Sequence, residues 1–140
     1  MALFQSRKVL VLCGAEDFFN FVTDIRNFGR FIPAGMKDGW SASSESCVFT
    51  VPGLGTVNLS HKKMQPYTKV LFSGDAVSRI KFILETDIEE KDANNCSVVL
   101  SLSTETDALT GMIISPAITR FLEMVSDEME KFTGWKEKPF

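Results

Sequence analysis

After Gly39 the apolar residues of this chain recur at every second position, and near its end they switch to helical spacing. That order, a long run of strands and then one helix, constrains the fold more than any single motif. Cys47, Phe49 and Val51 share one face of a first strand, and Pro52-Gly53-Leu54-Gly55 turns the chain. Val57, Leu59 and His61 then share a face opposite Asn58, Ser60 and Lys62. A turn at Gln65-Pro66-Tyr67 leads to a strand carrying Val70 and Phe72, which Gly74 is expected to end. The clearest alternation is Ile80, Phe82, Leu84, Thr86 and Ile88 against Arg79, Lys81, Ile83, Glu85 and Asp87. After a turn at Asp92-Ala93-Asn94-Asn95, Val98, Leu100, Leu102 and Thr104 continue inward. Such strands build an antiparallel sheet with one wet face. The apolar face needs a cover, and Ile118, Phe121, Leu122, Val125, Met129 and Phe132 form the stripe of a terminal helix that can supply it. Ser115 and Pro116 read as its cap and first position, with Gly134 as its stop and residues 135–140 as a short tail.

The first forty residues are built differently. Residues 3–13 read as one strand, broken by Gly14. Glu16 and Asp17 suit the first turn of a helix, and Phe18, Val22 and Ile25 follow at helical spacing. Thr23 or Asp24 can cap a second short helix ending near Gly29, and Pro33 and Gly35 close the unit. Arg7 and Lys8 before Val9-Leu10-Val11-Leu12-Cys13 imitate a secretion signal, but the apolar run is too short. The expectation is a cytoplasmic protein in which no stretch spans a membrane. Residues 1–140 form a single domain.

Composition narrows the function classes. A net charge of −3 without a basic cluster argues against nucleic acid. Twelve Phe against one Tyr and two Trp means aromatic area without polar handles, suited to a core or an apolar pocket. Cys13, Cys47 and Cys96 are odd in number and far apart, which reads as buried free thiols in a reducing compartment rather than a disulfide, zinc or redox site. No metal or cofactor is expected.

The layout, together with one segment, carries a family resemblance. Residues 18–33 place Phe19 and Val22 on a small helix, then Asp24, Phe28, Phe31 and Pro33; Pro66 later precedes the strand at residues 69–73. This resembles the START-like superfamily (SRPBCC), which also contains polyketide cyclases and plant ligand-binding allergens. The resemblance implies the α+β helix-grip fold: a curved seven-stranded antiparallel sheet around a long C-terminal helix, with two short helices after the first strand. Residues 24–33 are most similar to the coenzyme Q-binding and cyclase-like members, which often carry Tyr-Pro where this chain has Phe28-Gly29.

Candidate chemistry is sparse. His61 is the single histidine, so acid–base work by histidine must use it; the alternative is a solvated residue beside Lys62 and Lys63. The inward faces carry no carboxylate: Glu85 and Asp87 face outward with Arg79 and Lys81, and Asp24 reads as a cap. No GxSxG occurs, and Gly53-Leu54-Gly55 is a hairpin turn. The aromatic set is the better signal. Trp40, Phe49, Phe72, Phe82, Phe121 and Val125 are expected to line a cavity between sheet and helix, or simply to fill it, with His61 orienting a ligand. Met112, Met124 and Met129 can adapt to varied shapes, and Met112-Ile113-Ile114 lies where the resemblance places a cavity mouth. Three readings stand: a binder of a small hydrophobic molecule such as a lipid, isoprenoid or polyketide; a cyclase- or hydrolase-like enzyme using His61; and an interaction module with a filled core. A homodimer through an uncapped edge strand is compatible with each.

Overall fold

The computed structural model describes residues 2–77, 79–133 and 135. Its sheet is antiparallel and eight-stranded: β1 (Ala2–Gln5), β2 (Val9–Val11), β3 (Ser41–Ala42), β4 (Ser46–Val51), β5 (Gly55–Gln65), β6 (Lys69–Ala76), β7 (Ile80–Asp92) and β8 (Asn95–Thr104). The order across the sheet is β1-β8-β7-β6-β5-β4-β3, with β2 also paired to β8. Helices α1 (Ala15–Val22) and α2 (Ile25–Phe28) and a 3-10 turn (Ala34–Met36) lie between β2 and β3, and α3 (Ala108–Lys131) ends the fold. This is the helix-grip architecture, α+β, with the long helix across the curved sheet.

The register explains the curvature. Gln5 pairs with Ser101 and Val9 with Val98, so the first strand gains one residue on β8 and bulges at Ser6-Arg7-Lys8. The single strand expected over residues 3–13 is therefore two. Ser6 keeps the break paired: its amide donates to the Leu100 carbonyl at 2.8 Å, and its hydroxyl accepts from the Leu100 amide at 2.9 Å. Further bulges fall between His61 and Lys63 and between Glu90 and Asp92. Gly74 lies inside β6 rather than ending it. A Cβ there would stand 2.5 Å from the Asn58 carbonyl oxygen and 2.8 Å from Phe82, so only glycine admits this strand contact.

Asp24 caps α2 by accepting from the Arg26 amide at 3.1 Å, and Gly29 ends it. The start of α3 differs from expectation. The helix begins at Ala108, where the Asp107 carboxylate accepts from the Thr110 amide at 2.7 Å, and Pro116 sits inside it. Pro116 has no N–H to give the Met112 carbonyl, so the first two turns are joined to the rest by a weakened ladder. With those turns included, α3 is long and apolar enough to cross a membrane by length and composition, contrary to the expectation from the sequence. Here one of its faces is buried in the core instead, through Ile114, Ile118, Phe121, Leu122, Val125 and Met129.

Beyond α3, Trp135 is not a loose tail. It is buried, with ring centroids 4.7 to 5.4 Å from Phe18, Phe21, Phe31 and Phe132. The expected stop at Gly134 and residues 136–140 lie outside the described residues.

Candidate functional site

The inward-facing aromatics meet each other. Phe49 on β4 stacks on Phe121 of α3 with centroids 5.7 Å apart, and Phe28 of α2 meets Phe72 of β6 edge-on at 5.7 Å. Both pairs are buried, as are Phe82 and Val125. Trp40 is half-buried, 6.2 Å from Phe49, with its indole over Gly29. A Cβ on Gly29 would come within 2.6 Å of that ring. Five of the residues expected along a cavity are thus buried in the core, and Trp40 packs against it partly buried.

His61 follows Val57 and Leu59 in alternation, but it is exposed while they are buried. Its ring stacks on Phe72 at 5.8 Å, and its amide donates to the Glu45 carbonyl at 3.1 Å. The neighbouring acid is Asp24. Its carboxylate is held below the usual range first by hydrogen bonds from the Arg26 guanidinium, at 2.9 Å from Nε and 2.6 Å from Nη2, and also by the field of His61. With its oxygens engaged by Arg26, Asp24 serves the cap rather than orienting His61 as a base.

The other ionisable groups are structural. Lys69 bridges Glu85 and Asp87 on the outer face, at 3.4 and 3.3 Å. Cys13, Cys47 and Cys96 are buried thiols; burial pushes the Cys47 thiol up to about 12. Among the described residues no three His, Cys, Asp or Glu side chains gather to hold a metal ion.

Open space lies beside the N-terminal half of α3. A groove of about 580 Å³ runs between that helix, the 3-10 turn and the β4–β5 turn. Pro33, Gly35 and Met36 form one wall and Pro52 and Gly53 another; Ile113, Pro116, Ala117, Arg120 and Met124 supply the helix side. Gly53 sets its width: at φ +89°, a Cβ there would sit 2.9 Å from the Ala117 methyl, so the turn rests directly on the helix. Met112, 75% exposed, and Phe4 line a second depression of about 570 Å³ on the β1 side of the same helix segment. A third, about 440 Å³, crosses the outer face of the sheet among Asn58, Ser73, Asp75, Lys81 and Ser103. It is lined by Asp75, Lys81 and Glu105 as well as Phe82 and Ile83, whereas Arg120 is the one ionisable residue lining the groove beside α3.

Of the residues expected at the site, Met112 and Phe82 flank open space in the two other depressions, with Ile113 and Met124 in the groove itself. The sequence reading missed Pro33, Gly35, Met36, Pro52, Gly53, Ala117 and Arg120. Pro33 registered as a turn signal and as part of the family-like segment, and Gly35, Pro52 and Gly53 as turn signals. The usable signals were the adaptable methionines and the position of Met112-Ile113-Ile114, where the resemblance implies a cavity mouth.

No known protein family matches the sequence, and neither does any curated protein. Solved structures do match in fold. XoxI from Bacillus cereus is 10% identical with a TM-score of 0.62, covering 94% of this chain and 97% of that one. A protein from Thermobifida fusca is 16% identical with a TM-score of 0.67, covering 92% and 93%. Norcoclaurine synthase from Thalictrum flavum, solved with dopamine and hydroxybenzaldehyde, is 12% identical with a TM-score of 0.71, covering 93% and 84%.

Proposed function

We propose that this protein binds a small hydrophobic molecule in the groove between α3, the 3-10 turn and the β4–β5 turn. The observation that carries the reading is the groove's lining: Met36, Ile113, Ala117 and Met124 offer apolar contact in a space of about 580 Å³, within the usual range of ligand sites. Two flexible thioethers let the walls adapt to the occupant. The helix-grip neighbours fit a ligand-binding fold, and one of them, norcoclaurine synthase, is seen with two aromatic compounds. Lipids, isoprenoids and polyketides are the occupants in view. The similarity of residues 24–33 to coenzyme Q-binding and cyclase-like proteins favours an isoprenoid among them.

Binding is favoured over catalysis by the ionisable groups. Acid–base chemistry needs a proton donor or acceptor in reach of the substrate. The lining includes Arg120 as its one ionisable residue, and an arginine does not exchange its proton near neutral pH. His61 is not part of that lining and points to solvent.

The test is native mass spectrometry of the purified protein, with extraction of whatever is released, on the wild type and on Ala117→Trp, which fills the groove from its helix wall. The expected result is a stoichiometric hydrophobic molecule in the wild type that is absent from the folded variant. An equal load in both proteins would place binding elsewhere. An empty wild type that also fails to take up added lipid, isoprenoid or polyketide would remove the reading and favour an interaction module with a filled core.

A further inference from the structure

We infer that the occupant of the groove is an amphiphile carrying a carboxylate, with its chain against the groove's apolar lining and its headgroup on Arg120. The inference rests on the groove being the binding site, and it deepens that reading by naming the class of ligand.

Arg120 differs from Arg7 and Arg26, which are held by acids. Arg7 is engaged by Asp127 at 2.9 Å and Glu130 at 3.0 Å, and Arg26 by Asp24 at 2.6 Å. No ion pair among the described residues includes Arg120; Glu123, one turn further along α3, makes none with it. Every other lining residue is uncharged: three prolines, two glycines, two methionines, an isoleucine and an alanine. A single exposed cation in an otherwise uncharged groove, between Ala117 and Met124 along α3, favours a ligand that carries one opposite charge and is otherwise apolar. The guanidinium is a planar fork that matches two carboxylate oxygens at once, a geometry a lysine ammonium does not offer. Exposure of Arg120 keeps the headgroup at the water boundary while the chain is buried, the division an amphiphile requires.

A titration by methionine-methyl NMR separates this inference from the reading beneath it. Decanoate and 1-decanol are added, each below its aggregation limit, to the wild type, Arg120→Gln and Arg120→Lys. The Met36 and Met124 methyls report groove occupancy. Both ligands are expected to shift those methyls in the wild type, with decanoate binding about five- to tenfold more tightly, the scale of one charge-assisted hydrogen-bonded contact at a partly exposed site. That advantage is expected to shrink as salt is raised, to vanish in Arg120→Gln and to survive in part in Arg120→Lys. Equal binding of acid and alcohol to the wild type overturns the carboxylate assignment while leaving the groove as the site. So does a preference for decanoate that persists in Arg120→Gln. If neither ligand moves either methyl, the groove reading falls together with the inference. Arg120-dependent co-sedimentation with anionic vesicles, without saturable binding of decanoate, would overturn it in favour of a bilayer surface.

Discussion

Both halves of α3 bury apolar side chains, but the N-terminal half, which carries no charge, also leaves large apolar ones exposed. In the C-terminal half, Leu122, Val125, Ser126 and Met129 are all 1% exposed or less. They lie under the sheet and the aromatic cluster of Phe18, Phe21, Phe31 and Trp135, and Arg7 ties Asp127 and Glu130 to the β1–β2 bulge. In the N-terminal half, Leu109, Met112 and Ile113 are 67 to 75% exposed, with open depressions on both sides of the helix. Composition does not account for the contrast, because the exposed half is just as apolar. What differs is the cover: the two short helices close one end of the sheet, and among the described residues no equivalent element lies over the other. Stability is therefore concentrated at the closed end, while the open end presents apolar surface that folding does not use.

The largest expected effect breaks the closed end. Phe31 is fully buried, with ring centroids 5.4 Å from both Phe132 and Trp135 and 6.0 Å from Phe21. Phe31→Ala is expected to cost about 3–5 kcal/mol in urea unfolding. A loss below about 1 kcal/mol would mean that the cluster collapses around the gap and that stability is not concentrated there. At the open end the expected sign reverses. Pro116→Ala restores an N–H to the Met112 carbonyl and is expected to stabilise by about 1–3 kcal/mol, up to the full interior-proline penalty. Because Pro116 also lines both depressions beside α3, the same variant is expected to bind decanoate less well. Gain of stability with loss of binding is the result that sharpens the contrast; destabilisation would show that the proline is packed as it should be.

Alternation made the sheet readable. Ile80, Phe82, Leu84, Thr86 and Ile88 are buried or half-buried as their pattern predicts, because a strand's side chains have only two directions to choose from. The Asp24 cap and the Gly29 stop were readable for the same local reason. The start of α3 was not. Ser115-Pro116 carries the stronger local signal for a helix start, and the Asp107-to-Thr110 cap prevails because it adds two turns that the fold can accept. The bulge at Ser6-Arg7-Lys8 was hidden because it depends on the pairing with β8. His61 kept its face but lost its burial, since alternation reports direction and not how far the cover extends. The groove was the least visible feature. Periodicity assigns faces, not volumes, so it could not say whether Phe49, Phe72 and Phe121 enclose space or occupy it.

A smaller effect tests how the closed end is fastened. Asp24→Ala removes the cap of α2 and is expected to cost about 1 kcal/mol at pH 7. The Asp24 carboxyl is held below its ordinary range by Arg26, so its folded pKa is depressed. The stability it contributes is then present above the unfolded value near 3.9 and is lost as pH falls through the folded value. Wild type and variant are expected to differ in urea midpoint at pH 7 and to converge as the pH falls below about 4. A difference that stays constant into acid would mean that the charged carboxylate is not what holds the turn.

The smallest expected change in stability is at Ile113, and it is the one that tests the open end most directly. Ile113→Ser removes apolar surface that is already 67% exposed, so unfolding free energy is expected to move by no more than about 0.5 kcal/mol. Ile113 nonetheless forms part of the groove wall opposite Pro33 and Met36. Losing three carbon contacts there is expected to weaken 1-decanol and decanoate by a similar factor, about three- to tenfold, because both ligands use the wall through their chains. Arg120→Gln, in contrast, discriminates between them. The pair of variants thus separates chain from headgroup at one site. If Ile113→Ser left both affinities unchanged while costing as much stability as Phe31→Ala, the open half of α3 would be a piece of core exposed at its rim, and the division of the helix into a folding half and a binding half would not stand.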